Sequence, residues 1–200
     1  MSVLRVDDVL AEVLQRDAAE SGIRLLGVDG PSGSGKSTLA ARLAARSHAP
    51  LIEIDDFVSW PNFPGWWPRF ERQVLTPLLS GADAHYQVRD WANDEFGTSL
   101  NGWKMTAWAP LVILEGVTCT RLAAADRLAY RIWVEAPEDI RLHRGVERSG
   151  ETHRQLWVDW MKDEKQFFAD DGTRARADLR VNGHPSISHD QRTDVVVLDS

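Results

Sequence analysis

The chain has 200 residues, of which 43% are hydrophobic and 26% charged, a composition typical of one soluble globular domain. Its formal net charge of −7 argues against nucleic acid or an acidic membrane surface as the main partner. The single cysteine excludes an intrachain disulfide, and no apolar run approaches the ~20 residues that span a bilayer. The N-terminus is acidic where a signal peptide would be basic and then apolar. These features predict a cytoplasmic protein.

Helical and strand patterns alternate along the chain. The predicted helices are residues 6–22, 38–46, 69–79, 121–127, 137–148 and 152–169. The predicted strands are residues 23–28, 50–54, 85–91, 111–116, 130–135, 179–181 and 195–198, with irregular segments at 60–68 and 93–106. This alternation predicts a single three-layer α/β domain over residues 1–200, with a mainly parallel sheet flanked by helices.

The segment from Gly30 to Ser37 has the form G-x-x-x-x-G-K-[ST], a phosphate-binding loop between a predicted strand and a predicted helix. Its glycines let successive backbone N–H groups point at phosphate oxygens. The Lys36 ammonium would reach the β- and γ-phosphates, and the Ser37 hydroxyl would bind Mg²⁺. The predicted nucleotide-binding residues are Gly30, Ser32, Gly33, Ser34, Gly35, Lys36, Ser37 and Thr38.

Acidic residues follow two of the predicted strands, at the edge where parallel α/β sheets bind ligands. Asp55 and Asp56 follow the second strand, and Asp55 is the favoured acceptor of the proton from an attacking hydroxyl. The same carboxylates could equally hold Mg²⁺ or cap the next helix. Glu115 ends the most apolar strand, where it could hold Mg²⁺ beside Ser37 or be a solvated strand end.

Arg141, Arg144 and Arg148 are spaced along one side of a predicted helix. Guanidinium groups suit phosphate oxygens and can neutralise charge that develops during transfer. The three arginines therefore predict a mobile lid over the nucleotide, at about residues 138–152. The alternative is a solvated basic face balanced by neighbouring acidic residues.

Aromatic residues crowd the loop after Asp56: Trp60, Phe63, Trp66 and Trp67. They could stack on a flat or apolar substrate, or they could only hold the loop down. Candidates for nearby polar contacts are Arg69, Arg89, Asp90 and Trp91. Residues 58–106 are thus a predicted substrate-side insertion, whereas Trp157 and Trp160 are predicted to be core residues of a helix.

Four motifs together resemble the uridine kinase family, which belongs to a wider group with pantothenate kinase and phosphoribulokinase. They are the phosphate loop at 30–38, Asp-Asp-Phe at 55–57, Leu-Glu-Gly at 114–116 and Arg-Leu-His-Arg at 141–144. The correspondence runs from about residue 23 to 183. The resemblance implies that Asp55 is the general base, that Lys36 and Ser37 serve ATP and Mg²⁺, and that Glu115 assists the metal. It also implies that Arg141, Arg144 and Arg148 belong to the lid. The predicted catalytic residues are Asp55, Lys36 and Arg144.

The chain departs from that family around the acceptor. Val58 stands where a tyrosine is usual, and residues 85–91 lack the proline of the family's Pro-x-Tyr-Asp element, to which Tyr86 is the nearest match. The lid is also shorter than in many members. The candidate substrate-binding residues are Asp56, Trp60, Trp66, Arg69, Tyr86, Arg89 and Asp90.

The leading hypothesis is an ATP-dependent kinase that transfers the γ-phosphate to a hydroxyl of a small molecule, such as the nucleosides uridine or cytidine. One alternative is a nucleoside monophosphate kinase, for which Arg69, Arg72 and Arg89 could bind the acceptor phosphate. Another is a nucleotide-dependent ATPase or switch module, although the chain has no Asn-Lys-x-Asp element. The sequence leaves the acceptor and the oligomeric state open, a homo-oligomer included.

Overall fold

The computed structural model describes residues 1–199. Its strands are β1 Ser2–Arg5, β2 Arg24–Asp29, β3 Leu51–Glu53, β4 Ala84–Arg89, β5 Leu100–Thr106, β6 Leu111–Glu115, β7 Tyr130–Glu135, β8 Leu179–Asn182 and β9 Asp194–Val197. Its α-helices are α1 Val6–Gln15, α2 Lys36–Ser47, α3 Trp67–Phe70, α4 Thr76–Leu79, α5 Glu138–Ser149 and α6 Arg154–Asp171. A π-helical turn, Glu71–Leu75, joins α3 to α4. Short 3₁₀ turns occupy Ile54–Asp56, Leu122–Arg127, Glu151–His153 and Thr173–Arg176.

Seven strands form one sheet in the order β1-β9-β8-β7-β2-β6-β3. The strands from β8 to β3 are parallel to one another, whereas β9 pairs antiparallel with β8 at one edge and β1 pairs antiparallel with β9. The central strands β2 and β6 are buried along nearly their whole length, because helices cover both faces of the sheet. The predicted three-layer α/β fold with a mainly parallel sheet is confirmed.

Alternate residues of the central strands belong to two different apolar clusters, one on each face of the sheet. Leu26 packs with the buried side of α1 and α2, where Leu43 is central. Leu25 packs on the opposite face with the aromatic residues that follow β3, including Trp66 and Phe70. This arrangement leaves the carboxyl edge of the parallel strands open for a site.

Two predictions of local structure were wrong. The first helix ends at Gln15 instead of near Gly22, because Arg16 already has an extended backbone. Residues 93–106 are not all irregular, since β5 pairs with β4 in a separate antiparallel hairpin. The exposed β5 lacks the apolar alternation by which a half-buried strand is recognised. Within residues 1–199, no helix combines the length and apolar character needed to cross a membrane.

Candidate active site

The phosphate loop leaves β2 after Asp29 and enters α2 at Lys36. Gly30 and Gly33 have φ angles of 138° and 77°, which disfavour any residue with a side chain. A Cβ on Gly30 would lie 2.0 Å from the carbonyl oxygen of Val134, and one on Gly33 would lie 2.6 Å from that of Arg141. The loop is therefore pressed between β7 and α5 with no room for alanine.

A buried carboxylate fixes the start of the loop. The backbone N–H groups of Gly30, Thr118 and Thr120 donate to Asp29 at 2.6, 2.8 and 2.7 Å, and the Thr120 hydroxyl donates at 2.9 Å. Burial raises the pKa of Asp29, and these hydrogen bonds oppose the rise. Asp29 thus ties the phosphate loop to the turn after β6 and is structural.

A polar cavity of about 280 Å³ lies over the loop. The predicted site residues that line it are Ser32, Gly33, Gly35, Lys36, Ser37, Thr38, Asp55, Glu115, Arg144 and Arg148. The Lys36 ammonium donates to the carbonyl oxygen of Pro31 at 3.1 Å, so it is held over the loop. Of the other predicted nucleotide-binding residues, Gly30, Ser34 and Arg141 do not line this cavity. The cavity has the backbone, ammonium and hydroxyl groups that a nucleotide phosphate chain requires.

The same cavity contains oxygen donors suited to a divalent cation. The Ser37 hydroxyl donates to Glu115 Oε1 at 3.2 Å, and Asp55 lines the cavity beside them. Within residues 1–199, no group of three or more His, Cys, Asp or Glu side chains is arranged to hold a metal ion. Magnesium commonly completes its shell with phosphate oxygens and water, so Ser37 and a nearby carboxylate fit it when a nucleotide is bound.

Glu115 is 5% exposed, and its pKa is raised to about 7 by burial and by the charge of Asp55, against the opposing effect of Lys36. The unfolded chain would ionise near the ordinary value of 4.5. Between pH 4.5 and about 7 the folded protein binds more protons than the unfolded chain, so the free energy of unfolding falls as pH rises. Above about pH 7 the whole destabilisation caused by the buried, ionised Glu115 is present. A bound cation would remove this cost by favouring the carboxylate.

Glu115→Gln is therefore expected to stabilise the metal-free protein, since glutamine resembles the protonated form. The gain should be about 1 kcal/mol near pH 5.5 and about 3 kcal/mol above pH 8. Urea unfolding in EDTA at both pH values measures it, with the exposed Glu20→Gln as control. A gain that does not change with pH would contradict the assigned ionisation.

The three predicted lid arginines have different contacts. Arg141 Nη1 donates to the carbonyl oxygen of Ser32 at 3.3 Å, and Arg144 Nη1 donates to that of Gly33 at 2.9 Å. These two arginines hold α5 against the phosphate loop. Arg148 lies over the ring of Trp157 and lines both the phosphate cavity and an adjoining second cavity. Arg148 thus lies where the two cavities meet.

Glu164 was missed by the sequence analysis. Its side chain is 1% exposed and accepts hydrogen bonds from the Ser32 backbone N–H at 2.8 Å and from Trp160 Nε1 at 2.7 Å. It also lies 3.3 Å from Arg141 Nη1 in an ion pair. The signal was present, since Glu164 continues the spacing of Trp157 and Trp160 on the buried face of a helix, where a carboxylate needs partners.

A second cavity of about 540 Å³ adjoins the phosphate cavity and shares Ser32, Asp55 and Arg148 with it. Its walls include four indole rings, those of Trp60, Trp91, Trp157 and Trp160. Trp157 and Trp160 are buried, as the core prediction requires, but they also form this wall. Of the candidate substrate-binding residues, Trp60 is the one that lines the cavity.

Two other aromatic candidates lie within the core. Trp66 is 1% exposed, and its ring packs against Phe70 and the guanidinium of Arg121. Tyr86 stacks on Phe57, and its hydroxyl lies 3.3 Å from Thr106 Oγ1. Trp66 therefore packs in the core and anchors its loop, which is the alternative given for these aromatics, whereas Trp60 lines the cavity.

The polar candidates hold the β4–β5 hairpin against the segment that carries Asp55. Arg69 donates to the carbonyl oxygens of Asp56, Phe57 and Gln87. Arg89 donates to those of Phe57 and Thr98. None of these residues lines the aromatic cavity.

Two candidate carboxylates also make contacts away from that cavity. Both Asp56 oxygens lie 2.8 Å from the Lys104 ammonium. Asp90 accepts hydrogen bonds from the side-chain amides of Asn93 and Asn101. Substrate binding by either carboxylate remains a prediction.

A third cavity, of about 500 Å³, lies on the side of the phosphate loop away from Asp55. It shares Gly35, Thr38 and Arg144 with the phosphate cavity and continues to Asn182 and His184 after β8. This cavity was not predicted from the sequence, although a polar turn at the carboxyl end of a parallel strand is the signal expected there. The phosphate cavity thus has an extension on each side.

Comparisons with known proteins identify the family and the fold of the chain. The family described as AAA domain matches residues 26–169. A possible uridine kinase from Bacillus stearothermophilus superposes with a TM-score of 0.65 at 18% identity, covering 88% of this chain and 96% of that one. A provisionally named fructose transport system kinase from Silicibacter sp. TM1040 gives 0.52 at 24% identity, covering 87% and 93%. No relative was found among curated proteins.

The predicted resemblance to the uridine kinase group is confirmed at the level of the fold, which these structures share. The family match covers more than half of the chain. The protein therefore belongs to the AAA domain family of P-loop proteins, with the fold of nucleotide-dependent P-loop kinases.

Proposed function

We propose that the protein is an ATP-dependent kinase that transfers the γ-phosphate to a hydroxyl group of a small molecule. The observation that carries this proposal is the meeting of two cavities at Asp55 and Arg148, one over the phosphate loop and one lined by tryptophans. A nucleotide in the first cavity would extend its nucleoside toward the third cavity, by Thr38 and Arg144. Its γ-phosphate would then point toward Asp55 and the acceptor.

The chemistry assigns a role to each group at this junction. The acceptor oxygen attacks the γ-phosphorus, the bond from that phosphorus to ADP breaks, and the hydroxyl proton passes to Asp55. Lys36 and Arg148 stabilise the charge on the transferred group. Magnesium, held through Ser37 and Glu115, would neutralise phosphate charge. Helix α5 with its three arginines is the proposed lid, and its contacts with Ser32 and Gly33 couple it to the loop.

The nucleoside monophosphate alternative is less well supported. It requires arginines at the acceptor, but the guanidinium groups of Arg69 and Arg89 donate hydrogen bonds to backbone carbonyls of the hairpin and of neighbouring residues. Arg72 is exposed and does not line the aromatic cavity. The switch alternative does not account for an aromatic cavity beside Asp55. A kinase for an unphosphorylated acceptor accounts for both observations.

ADP release from Mg-ATP tests this proposal. The acceptor panel comprises uridine, cytidine, pantothenate, simple sugars, nucleoside monophosphates and hydroxyl-bearing aromatic amines. We expect one acceptor class to accelerate ADP release and to gain one phosphate by mass, and we expect Lys36→Ala to abolish both. The exposed Lys165→Ala is the matched control and should retain activity. Release that depends on Lys36 but on no acceptor would instead indicate an ATPase or switch.

A further inference from the structure

The aromatic cavity restricts the acceptor more narrowly than the fold does. Three of its four indole N–H groups are already used within the protein. Trp91 Nε1 donates to the carbonyl oxygen of Asp55 at 2.7 Å, and Trp157 Nε1 donates to Ser149 Oγ at 2.8 Å. Trp160 Nε1 is shared between Ser32 Oγ and Glu164. These tryptophans therefore offer the ligand ring surface and almost no hydrogen-bond donors.

The polar side chains that line the cavity include two carboxylates, which carry negative charge and accept hydrogen bonds. Asp55 lies at the end shared with the phosphate cavity, and Glu95 lies toward the outer rim, with 65% of its side chain exposed. Arg148 is the one Lys or Arg side chain among the residues that line it, and it lies at the phosphate end. His153 faces Glu95, with Nε2 and Oε2 3.6 Å apart. The outer part of the cavity thus combines ring surfaces with a carboxylate.

This combination is poorly suited to reading a nucleobase. A base edge needs paired donors and acceptors, and no Asn or Gln is among the cavity-lining residues within the described chain. It is equally unsuited to an anionic acceptor, whose charge would meet Glu95. Indole rings beside a carboxylate are instead the usual surroundings of an organic cation.

Resting on the proposed function, we propose that the acceptor is a hydroxyl compound with an apolar or aromatic body and a protonated amino group. The body would pack on Trp60, Trp157 and Trp160, and the ammonium would lie toward Glu95. The hydroxyl would then point to Asp55 and the γ-phosphate. A cavity of about 540 Å³ accommodates a molecule of this size.

Three matched probes test the charge preference by calorimetry without nucleotide, at about pH 8. They are 2-amino-1-phenylethanol, its neutral isostere 1-phenylpropan-1-ol, and the anion mandelate. We expect the cation to bind at least about tenfold more tightly than the neutral probe. Mandelate should bind more weakly than either.

Three variants, one of them a control, locate the preference. Glu95→Gln should remove the advantage of the cation and leave the neutral probe unchanged, whereas Glu151→Gln, on a nearby exposed carboxylate, should change neither. Trp60→Leu should weaken the binding of both the cation and the neutral probe, because both pack on its ring. Equal affinity for the cation and the neutral probe, or a preference that survives Glu95→Gln, would overturn the inference.

This test separates the inference from the proposed function, because it needs no phosphoryl transfer. A neutral or anionic acceptor that is phosphorylated with dependence on Lys36 would overturn the charge preference and leave the kinase standing. Cation binding that depends on Glu95 would support the acceptor class even if no compound in the ADP-release panel were phosphorylated.

Discussion

Asp55→Asn is expected to lower kcat for acceptor phosphorylation by about 10²–10⁴-fold, since asparagine cannot take the hydroxyl proton. The substitution should preserve the local structure, because the contact from Trp91 is made to the Asp55 backbone carbonyl and not to its carboxylate. KM for ATP should therefore change little. Steady-state kinetics of acceptor-dependent ADP release measures both quantities.

Asp56→Asn is the matched control, because Asp56 is adjacent in sequence and its carboxylate pairs with Lys104 instead of lining either cavity. Its kcat should stay within a few-fold of the wild type. A magnesium titration distinguishes the two roles proposed for Asp55. A base lowers kcat at every Mg²⁺ concentration, whereas a metal ligand raises the Mg²⁺ concentration required for half-maximal rate. Equal losses in the two variants would contradict the assignment of Asp55 as base.

Local patterns were sufficient to predict the parts of this site that are contiguous in the chain. The phosphate loop needs glycines, a lysine and a hydroxyl at fixed spacing, and strand–loop–helix order follows from apolar periodicity. Asp55 and Glu115 were found because carboxyl ends of parallel strands meet at one edge. These inferences need only chain order and the rules of α/β sheets.

The parts that sequence did not predict depend on contacts between distant segments. Glu164 is 132 residues from Ser32, to whose N–H it is bonded, and nothing local indicates that pairing. Arg69 and Arg89 were predicted to make polar contacts with the substrate, but in the structure they donate to backbone carbonyls of Phe57 and of the hairpin residues Gln87 and Thr98, which need partners. Trp157 was predicted to be a core residue of a helix. The pattern of a buried helical face does not reveal that the same face also forms the wall of a cavity.

Glu164→Ala is expected to lower the free energy of unfolding by about 3–5 kcal/mol, because it leaves Arg141 nearly buried without its ion-pair partner. It also removes the acceptor of the Ser32 N–H, so the phosphate loop should lose its shape and its affinity for ATP. Urea unfolding and ATP titration measure the two effects. The exposed Asp163→Ala, on the same helix, should stay within about 0.5 kcal/mol of the wild type.

A double variant separates the ion pair from the positioning of the loop. Glu164→Leu with Arg141→Met replaces both charges by apolar groups, so no lone charge remains and much of the stability should return. ATP affinity should not return with it, because the Ser32 N–H still lacks its acceptor. If the double variant recovered both stability and ATP affinity, the carboxylate would be part of the core alone. If it recovered stability only, and Arg141→Met alone retained ATP affinity, Glu164 would be the residue through which α6 positions the phosphate loop.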